Sequence, residues 1–394
     1  MAIRFFRYAL VLLSFSLGVA DACTSLPATL SYKNAKLPDP FTFYDGQKVT
    51  TKSDWECRRQ EILELLQRTE YGTLPLKPSS VTGTLQGTTL TVNVSHEGKN
   101  ISFAARVDIP STGGPVPALI ALGGTSLPPL PGVATIIFNN DDIAQQSIGN
   151  RGQGKFFNIY GRSHSAGAFT ASTWGVSRII DVLETLPGSP IDVKKLAITG
   201  CSRNAKAAIA IGAFEPRIAL TLPQESGSGG TGSWRITDST PQSGGIILPN
   251  STQTAWQVVQ NYAWFSPLFD SYARRVTELP TDHHLLAALI APRALLVVEH
   301  STMDWLVPRS TWGCMKAAHK VFIALGVADR MGISYVGGHN HCQFPASQSS
   351  DLFAFVDKFL FDKETVTDIV KTDTNAEFGY SESQWVDWAT PTLT

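Results

Sequence analysis

Five short stretches of the sequence are almost entirely apolar, and they constrain the fold more than any other feature. They cover residues 118–122, 134–138, 196–199, 218–222 and 294–298. Such runs are typical of strands buried on both faces, because neither face then needs polar side chains. Helical patterns lie between several of them, at 174–186 and 206–214. This alternation predicts an α/β fold, with a mostly parallel central sheet covered by helices on both sides.

Polar side chains directly follow three of these predicted strands. Ser202, Glu225 and Asp304 each lie just past an apolar run. In open parallel sheets, catalytic and binding groups gather at the carboxyl ends of the strands. We therefore expect a functional site at that edge of the sheet.

The regions on either side of the buried runs have other patterns. Residues 90–94 and 101–109 alternate between polar and apolar types about a turn at 97–99, which predicts an antiparallel hairpin. A helical pattern covers residues 56–68. The tail after Asp362 has no comparable apolar run, so we expect an extended segment packed over the body.

The composition argues against several classes of protein. The 394 residues are 43% hydrophobic and 16% charged, with a formal net charge of -1. Nucleic acids and anionic membranes attract chains with a basic excess, which is lacking here, so we expect neither partner. The length fits one large α/β domain or two smaller ones. No repeat, low-complexity tract or linker marks off an accessory binding module.

The N-terminus has the pattern of a secretory signal. Arg4 and Arg7 precede an apolar stretch at 8–19, and alanines at 20 and 22 have the spacing of a signal-peptidase site. A membrane anchor is the alternative, but the run is shorter than the about 20 residues that a spanning helix needs. We predict that residues 1–22 are a signal peptide and that a secreted, extracellular protein starts near Cys23.

Glycosylation motifs and cysteines fit an oxidising compartment. N-x-S/T motifs at Asn93, Asn100 and Asn250 predict glycosylation sites. The chain has five cysteines: Cys23, Cys57, Cys201, Cys314 and Cys342. An odd number leaves at least one without an intramolecular partner, and the sequence alone does not determine the pairing. No C-x-x-C pair occurs, which argues against a zinc site.

The octapeptide T-G-C-S-R-N-A-K at 199–206 places Ser202 at a predicted strand-to-helix turn. Such a turn exposes the nucleophile of many hydrolases, and the usual motif there is G-x-S-x-G. Here Asn204 occupies the position of the second glycine. A helix N-cap is another common role for a serine at this position. From these eight residues alone, both interpretations remain open.

A catalytic serine needs a histidine base and an acid that orients it. Of the eight histidines, the pair His339 and His341 lies in a glycine-rich loop after a predicted strand, where α/β-hydrolases carry their base. Spacing does not separate the two. The patterns around four of the others predict structural roles for His164, His283, His284 and His319.

Three acids fit the chain order of serine, acid and histidine. They are Glu225, Glu299 and Asp304. The usual hydrolase arrangement favours Asp304, which lies in the loop after the predicted strand at 295–298. Glu225 lies one strand earlier than that arrangement would place it.

Several motifs recur together in one order. They are Tyr160-Gly161, His164-Ser-Ala-Gly167, Trp174-Gly-Val-Ser-Arg178, Gly200-Cys-Ser-Arg203 with Lys206, Gln224-Glu-Ser-Gly227, Asp282-His-His284, Ala291-Pro-Arg293, Asp304-Trp305, and His341-Cys342 with Phe344-Pro345. On these motifs the chain resembles the fungal glucuronoyl esterases of carbohydrate esterase family 15. The resemblance implies a single α/β-hydrolase catalytic domain over residues 23–394. It also implies hydrolysis of esters between 4-O-methyl-D-glucuronic acid of glucuronoxylan and lignin alcohols, by a monomer without metal or cofactor.

The resemblance also implies roles for individual residues. Ser202 matches the family's nucleophile, Glu225 its acid and His341 its base, and Arg203 contributes to the oxyanion site. Cys201 is then bridged to Cys342, which ties the nucleophile loop to the base loop. A second bridge joins Cys23 to Cys57.

Sugar recognition is implied for three residues, Lys206, Gln253 and Trp305. Each also has a structural interpretation: Lys206 as a solvated first-turn lysine, Gln253 as a polar loop residue and Trp305 as part of the core. The sequence departs from the family at three positions. Asn261 replaces a glutamate that contacts the sugar, Ala205 replaces a glycine, and Ser233 replaces the cysteine that would pair with Cys314. We therefore predict that Cys314 is unpaired and buried.

Two other functions remain to be tested against this one. Asn261 leaves open an esterase that acts on a different carbohydrate ester, such as a pectin-type methyl ester or acetylated xylan. A carbohydrate-binding protein on an inactive hydrolase fold is the alternative outside the enzymes. The presence of Ser202, Glu225 and His341 argues against that second alternative.

Overall fold

The computed structural model describes residues 23, 25–239, 253–375 and 377–394. The predicted signal peptide at 1–22 and the predicted glycosylation site at Asn250 lie outside these residues. Within the described chain, no helix is long and apolar enough to cross a membrane.

One sheet of ten strands organises the described chain, in the order β1-β2-β3-β5-β4-β6-β7-β8-β9-β10. The strands are β1 Ser80–Gln86, β2 Thr89–His96, β3 Lys99–Asp108, β4 Val116–Leu122, β5 Ala134–Phe138, β6 Ile191–Cys201, β7 Ile218–Gln224, β8 Ala294–His300, β9 Met331–Val336 and β10 Val370–Thr372. The first three pair in antiparallel fashion and β3 joins β5 in the same way, whereas all pairs from β5 through β10 are parallel. Every residue of β4, β7 and β8 except Ala219 is buried, which explains their continuous apolar runs.

Helices cover the two faces of the sheet. The α-helices of the described chain are α1 Lys52–Leu66, α2 Lys155–Tyr160, α3 Ala168–Thr185, α4 Arg203–Phe214, α5 Trp234–Ser239, α6 Ala255–Asn261, α7 His283–Ala288, α8 Pro308–Ala324, α9 Ser349–Phe361 and α10 Glu382–Trp385, of which α3, α4, α8 and α9 pack on the central strands. Alternate side chains of the central strands point to opposite faces. Ile198 and Val297 join the larger apolar cluster, which contains α3, α4 and α8, whereas Ala197 and Leu296 pack with α9 in the smaller one. The predicted α/β architecture with a mostly parallel sheet is confirmed, as a three-layer αβα arrangement.

The antiparallel hairpin that the alternating pattern predicted is present as β2 and β3. Asn93 and Asn100 lie on these strands with exposed side chains. The register pairs Asn93 with Ser102 and Ser95 with Asn100, so both asparagines face solvent on the same side of the hairpin.

The C-terminal tail contains more regular structure than its sequence predicts. Strand β10 adds to the edge of the sheet by pairing with β9. Further on, the Trp385 carbonyl accepts a hydrogen bond from the Leu37 N–H at 2.9 Å, and the Trp388 indole N–H donates to the Leu37 carbonyl at 3.1 Å. The tail therefore packs over the body as expected, but it also contributes a strand.

Two disulfides are formed, Cys23–Cys57 and Cys201–Cys342, the two pairs that the resemblance implies. Cys314, on α8, is free and buried. Ser233, which stands where its partner was expected, donates a hydrogen bond from Oγ to Asp282 Oδ2 at 2.9 Å. The serine therefore joins a buried polar network instead of a disulfide.

Candidate active site

Ser202 lies between the end of β6 and the start of α4, at the carboxyl edge of the sheet. Its backbone has φ 59° and ψ -126°, a conformation that L-residues rarely adopt and that is common at catalytic turns. Gly200 is required there, because a Cβ would lie 2.5 Å from the Asn204 carbonyl oxygen. Ser202 stands at the N-cap position of α4, but its side chain makes no capping hydrogen bond. Capping therefore does not explain this serine.

Asn204, at the position of the missing glycine, ties the turn to neighbouring strands. Its Nδ2 donates to the Leu122 carbonyl at the end of β4 at 2.9 Å, and its Oδ1 accepts from Asn140 Nδ2 at 3.3 Å. Space for this side chain comes from Gly123, where a Cβ would lie 2.8 Å from Asn204 Nδ2. The close approach that G-x-S-x-G achieves with a second glycine is achieved here by the glycine directly after the adjacent strand, β4.

Glu225 follows β7 directly and also has a positive φ, of 51°. Its N–H donates to the Val298 carbonyl on β8 at 2.7 Å. One carboxylate oxygen, Oε2, accepts hydrogen bonds from His341 Nδ1 at 2.6 Å and from the Cys342 N–H at 2.7 Å. Burial alone would raise the pKa of Glu225, but hydrogen bonds from His341, Cys342 and Gln224 outweigh it and lower the pKa. Glu225 is therefore held ionised next to the histidine.

His341 has its other ring nitrogen available. Nε2 is buried and has no hydrogen-bond partner within the described residues. The Trp305 ring packs edge-on against the imidazole, with ring centroids 4.6 Å apart. The Cys201–Cys342 disulfide joins the residue before Ser202 to the residue after His341, with 5.8 Å between their Cα atoms. Serine, histidine and glutamate are thus gathered at one place.

Donor atoms of Cys201, Glu225, His341 and Cys342 lie within 4.8 Å of one another. A metal site would need the sulfurs as thiolates, whereas here they are bonded to each other. This donor set does not fit a metal ion.

The other candidates for the acid and for the base, Asp304, Glu299 and His339, have environments that differ from those of Glu225 and His341. Asp304 is exposed at the start of a 3₁₀ turn over Asp304–Leu306. Glu299 bonds to the loop after Glu225, not to a histidine. His339 has its two ring nitrogens near the carbonyls of Asn340 and Val336, and its Nδ1 is 3.7 Å from Glu225 Oε1. The structure pairs His341 with Glu225, contrary to the preference for Asp304 that the usual strand order gave.

The histidines with predicted structural roles have local partners. His283 bonds to Glu70 and to the Gly230 carbonyl, His284 to the Pro38 carbonyl, His319 to the Ala328 carbonyl, and His164 to the Ala166 N–H. None of these partners is Ser202, Glu225 or His341.

Arg203 begins α4, directly after Ser202. Its guanidinium forms an ion pair with Asp141 at 3.1 Å, and both side chains are about half exposed. First-turn N–H groups of a helix have no partner within the helix, so this end of α4 also offers backbone donors. Arg203 thus brings a positive charge and helix N–H groups to the edge beside Ser202.

Lys206 is buried, with 3% of its surface exposed, so its interpretation as a solvated lysine is wrong. Nζ donates to the carbonyls of Ser226 and Ser228 and lies 5.6 Å from the centre of the Trp264 ring. Burial lowers the pKa of Lys206 from 10.5 to about 7. Burying a cation costs free energy because its hydration is lost, and ionisable residues with strongly shifted pKa values are often found at functional sites.

The remaining predicted sugar contacts are near the surface. Trp305 is partly exposed, which excludes a purely core role. Gln253 is partly buried just before α6. Asn261 is exposed at the end of α6, where its Nδ2 donates to the Gln257 carbonyl at 2.7 Å. Ala205, in the first turn of α4, is fully buried.

The sequence did not predict the contacts that three residues make near the site. Asp141 anchors Arg203, Trp264 covers Lys206, and Glu299 bonds to the loop that Lys206 also holds. The position of Trp264, three residues after Asn261, is the one local feature of the sequence that could have indicated a sugar-site aromatic residue. The other two contacts depend on pairing between elements that are distant in the sequence.

The parallel sheet, the strained serine turn at its carboxyl edge and the nearby histidine–glutamate pair define this protein as an α/β-hydrolase. Solved structures support that class. The glucuronoyl esterase catalytic domain from Hypocrea jecorina matches with a TM-score of 0.88 and 52% identity, over 94% of this chain and 100% of that one. A mutant glucuronoyl esterase from Sporotrichum thermophile, in complex with methyl 4-O-methyl-β-D-glucopyranuronate, matches with a TM-score of 0.87 and 47% identity, over 95% and 100%.

Sequence comparisons identify the family. The family model for glucuronyl esterase of fungi matches residues 92–326. The 4-O-methyl-glucuronoyl methylesterase of Hypocrea jecorina is 53% identical over 374 residues, which cover 94% of this chain and 79% of that protein. The chain belongs to the glucuronoyl esterase family, and it is a carboxylic ester hydrolase.

Proposed function

We propose that this esterase hydrolyses esters between 4-O-methyl-D-glucuronic acid of glucuronoxylan and lignin alcohols, with Ser202, His341 and Glu225 as its catalytic triad. The observation that carries the proposal is the His341–Glu225 hydrogen bond of 2.6 Å, which engages Nδ1 and leaves Nε2 without a partner among the residues that the structure describes. A histidine oriented in this way through Nδ1 accepts a proton at Nε2. The uronate ester bound by the Sporotrichum thermophile relative supports the substrate class.

The proposed reaction has two stages, acylation of Ser202 and hydrolysis of the acyl-enzyme. Ser202 Oγ attacks the ester carbonyl while its proton moves to His341 Nε2, and Glu225 stabilises the imidazolium that forms. Arg203 and the first-turn N–H groups of α4 stabilise the oxyanion. His341 then protonates the departing alcohol. Water attacks the acyl-enzyme with His341 as base, which releases the glucuronate and restores Ser202. No step uses a metal or cofactor.

The uronate ring is held by Lys206, Gln253 and Trp305 in this proposal. Trp305 offers an apolar face and an indole N–H beside His341, and Lys206 offers a buried N–H donor. Asn261 brings an amide where a carboxylate is usual, so it changes the charge that faces the sugar. We expect this difference to affect the preference for the 4-O-methyl ether.

The wider setting is part of the same proposal. Residues 1–22 act as a signal peptide, and residues 23–394 form one catalytic domain that is secreted as a monomer. Asn93, Asn100 and Asn250 carry glycans, and the exposure of the first two on β2 and β3 is compatible with modification. The two disulfides are typical of proteins from oxidising compartments.

The test is the release of alcohol from benzyl glucuronate by a Ser202→Ala variant. We expect kcat to fall by several orders of magnitude while the melting temperature changes little, because the variant loses the nucleophile and keeps the oxyanion donors. Ser111→Ala is the matched control, since Ser111 is exposed in the turn before β4, at the opposite end of the sheet. Substantial turnover by Ser202→Ala would reject the mechanism.

Asn261 keeps one other function open, an esterase for a different carbohydrate ester. Rates on methyl glucuronate with and without the 4-O-methyl group are to be compared with rates on methyl galacturonate and acetylated xylan. We expect the glucuronate esters to react fastest. A higher kcat/KM on acetylated xylan or galacturonate would replace the proposed substrate.

A further inference from the structure

The segment directly after Glu225 is a buried loop with unusual composition. It covers residues 226–232, Ser-Gly-Ser-Gly-Gly-Thr-Gly, and all seven residues are buried. We name this segment the acid loop. Buried backbone N–H and C=O groups need hydrogen-bond partners, and a glycine-rich loop offers few side chains of its own to supply them. Charged side chains from other elements supply several of these hydrogen-bond partners.

Glu299, on β8, binds the acid loop from one side. Its Oε1 accepts hydrogen bonds from the Ser226 N–H at 2.9 Å, from Ser226 Oγ at 2.7 Å and from the Gly227 N–H at 3.3 Å, and Thr231 Oγ1 also donates to it. Convergence of donors on one oxygen favours the ionised carboxylate. Burial acts in the opposite direction and raises the pKa of Glu299.

Lys206, on α4, binds the same loop from the other side. Its ammonium donates to the carbonyls of Ser226 and Ser228. The peptide group between Ser226 and Gly227 therefore has its C=O on the Lys206 cation and its N–H on the Glu299 anion. Close packing reinforces the arrangement, because a Cβ at Gly230 would lie 3.1 Å from Lys206 Cγ. Opposite buried charges thus meet across one peptide group.

The charge of Lys206 decides what it offers a ligand. An ammonium has three N–H donors, two of which the loop carbonyls use, so one remains for a sugar hydroxyl. A neutral amine has only two N–H groups, which the same carbonyls would use. Burial lowers the pKa of Lys206 to about 7, and the negative charge of Glu299 opposes that decrease.

We propose that Glu299 is a positioning residue whose carboxylate, acting across the acid loop, keeps Lys206 protonated and so keeps one N–H available to a hydroxyl of the uronate ring. This inference rests on the proposed role of Lys206 in the uronate subsite. Glu299 itself touches neither substrate nor the reacting atoms. Because Glu299 affects substrate binding, we expect its removal to change KM rather than kcat.

Other groups face this pair and set the pH range in which it is complete. Glu225, at the end of β7, further raises the pKa of Glu299 by like-charge repulsion, and Tyr335 on β9 also interacts with Glu299. Trp264 faces Lys206. Lys206 loses its proton as the pH rises through about 7. Glu299 takes up a proton at a higher pH than an ordinary glutamate. Substrate affinity is therefore greatest in weakly acidic solution.

The test is a Glu299→Gln variant, assayed for KM and kcat on benzyl glucuronate from about pH 5 to about pH 8. The amide oxygen still accepts the bonds that the acid loop makes to Oε1, and the NH2 takes the place of Oε2, which has no hydrogen-bond partner among the described residues. The variant therefore removes the charge and keeps the loop contacts. We expect KM at neutral pH to rise about tenfold with kcat changed far less, because one hydrogen bond from a charged donor is lost. The KM of the variant should return toward the wild-type value as the pH falls, because acid protonates Lys206 again. Acid would not reverse a merely structural defect.

Two comparison variants make the result decisive. Asp304→Asn removes an exposed negative charge near the same end of β8 and should leave KM and its pH dependence unchanged. Lys206→Met should raise KM at every pH. If Lys206→Met leaves KM unchanged, the proposed subsite fails. If Lys206→Met raises KM but Glu299→Gln does not, only the inference about Glu299 is overturned. A defect in Glu299→Gln that persists at low pH, with a lowered melting temperature, also overturns it.

Discussion

Replacing Glu225 by glutamine tests the identity of the acid most directly. Oε2 of Glu225 accepts from His341 Nδ1 and from the Cys342 N–H, while Oε1 lies 3.3 Å from the donor Nε2 of Gln224. His341, the Cys342 N–H and Gln224 all donate hydrogen bonds to this carboxylate. An amide must direct its NH2 at one of these neighbours, so either the orientation of His341 or the contact with Gln224 is lost.

The size of the effect follows from the distance. Two unit charges whose nearest atoms are 2.6 Å apart attract by about 6 kcal/mol at an effective dielectric of about 20. His341 is 26% exposed, so solvent screening reduces this value to about 4–5 kcal/mol. That energy corresponds to a loss of about 10³- to 10⁴-fold in kcat. The attraction arises only when His341 is protonated, late in the attack, so KM should change little.

The assay is the steady-state release of benzyl alcohol from benzyl glucuronate, together with a thermal unfolding curve. Asp304→Asn is the matched control, because Asp304 is the exposed acid that the usual strand order favours. We expect it to keep the wild-type kcat within about twofold, as surface substitutions usually do. If Glu225→Gln kept more than a tenth of the wild-type kcat, or if Asp304→Asn lost more activity than it, the assignment of the acid would be refuted.

Two further predictions concern the disulfides and pH. Replacing Cys201 and Cys342 by serine should cost about 5 kcal/mol of stability, from the chain entropy of the 141-residue separation, and should also lower kcat. Replacing Cys23 and Cys57, separated by 34 residues, should cost about 4 kcal/mol and leave kcat unchanged. Equal effects of the two pairs on kcat, measured beside urea unfolding, would contradict this difference. Burial lowers the pKa of His284 from 6.5 to about 4, so the unfolded chain binds the extra proton first. Unfolding free energy should therefore fall by about 1.4 kcal/mol per pH unit as the pH decreases from 6.5 toward 4. His284→Gln should show a shallower fall in urea titrations, and an unchanged slope would exclude this source.

The architecture was largely predictable because burial on both faces leaves a direct trace in the sequence. All five apolar runs correspond to strands of the parallel region. Strand β10 left no such trace, because two of its three residues are exposed at the edge of the sheet and its order comes from pairing with β9. An edge strand such as β10 is held by backbone hydrogen bonds to its neighbour, and these bonds do not require particular side chains.

The candidate site was less predictable than the sheet. His339 and His341 lie two residues apart in one loop, and only the direction of each ring separates them. The choice between Glu225 and Asp304 depends on which strand end faces that loop, which is a property of three-dimensional packing. The resemblance to a family favours Glu225 and His341, and the structure joins these two side chains by a hydrogen bond. Lys206 is the opposite case, because nothing local reveals that a first-turn lysine is buried among carbonyls of a loop 20 residues away.

The contact between Asn204 and Gly123 makes these two positions mutationally dependent on each other. Alanine at position 123 would meet the Asn204 amide at 2.8 Å and would also have to adopt a φ of 68°. With glycine at position 204 the clash disappears, and only the backbone strain of about 1 kcal/mol or more remains. The cost of a substitution at one position thus depends on the residue at the other. Lineages of this fold can therefore exchange the glycine between the end of β4 and the first turn of α4 only through coupled changes. A search for the nucleophile motif must consider both positions together.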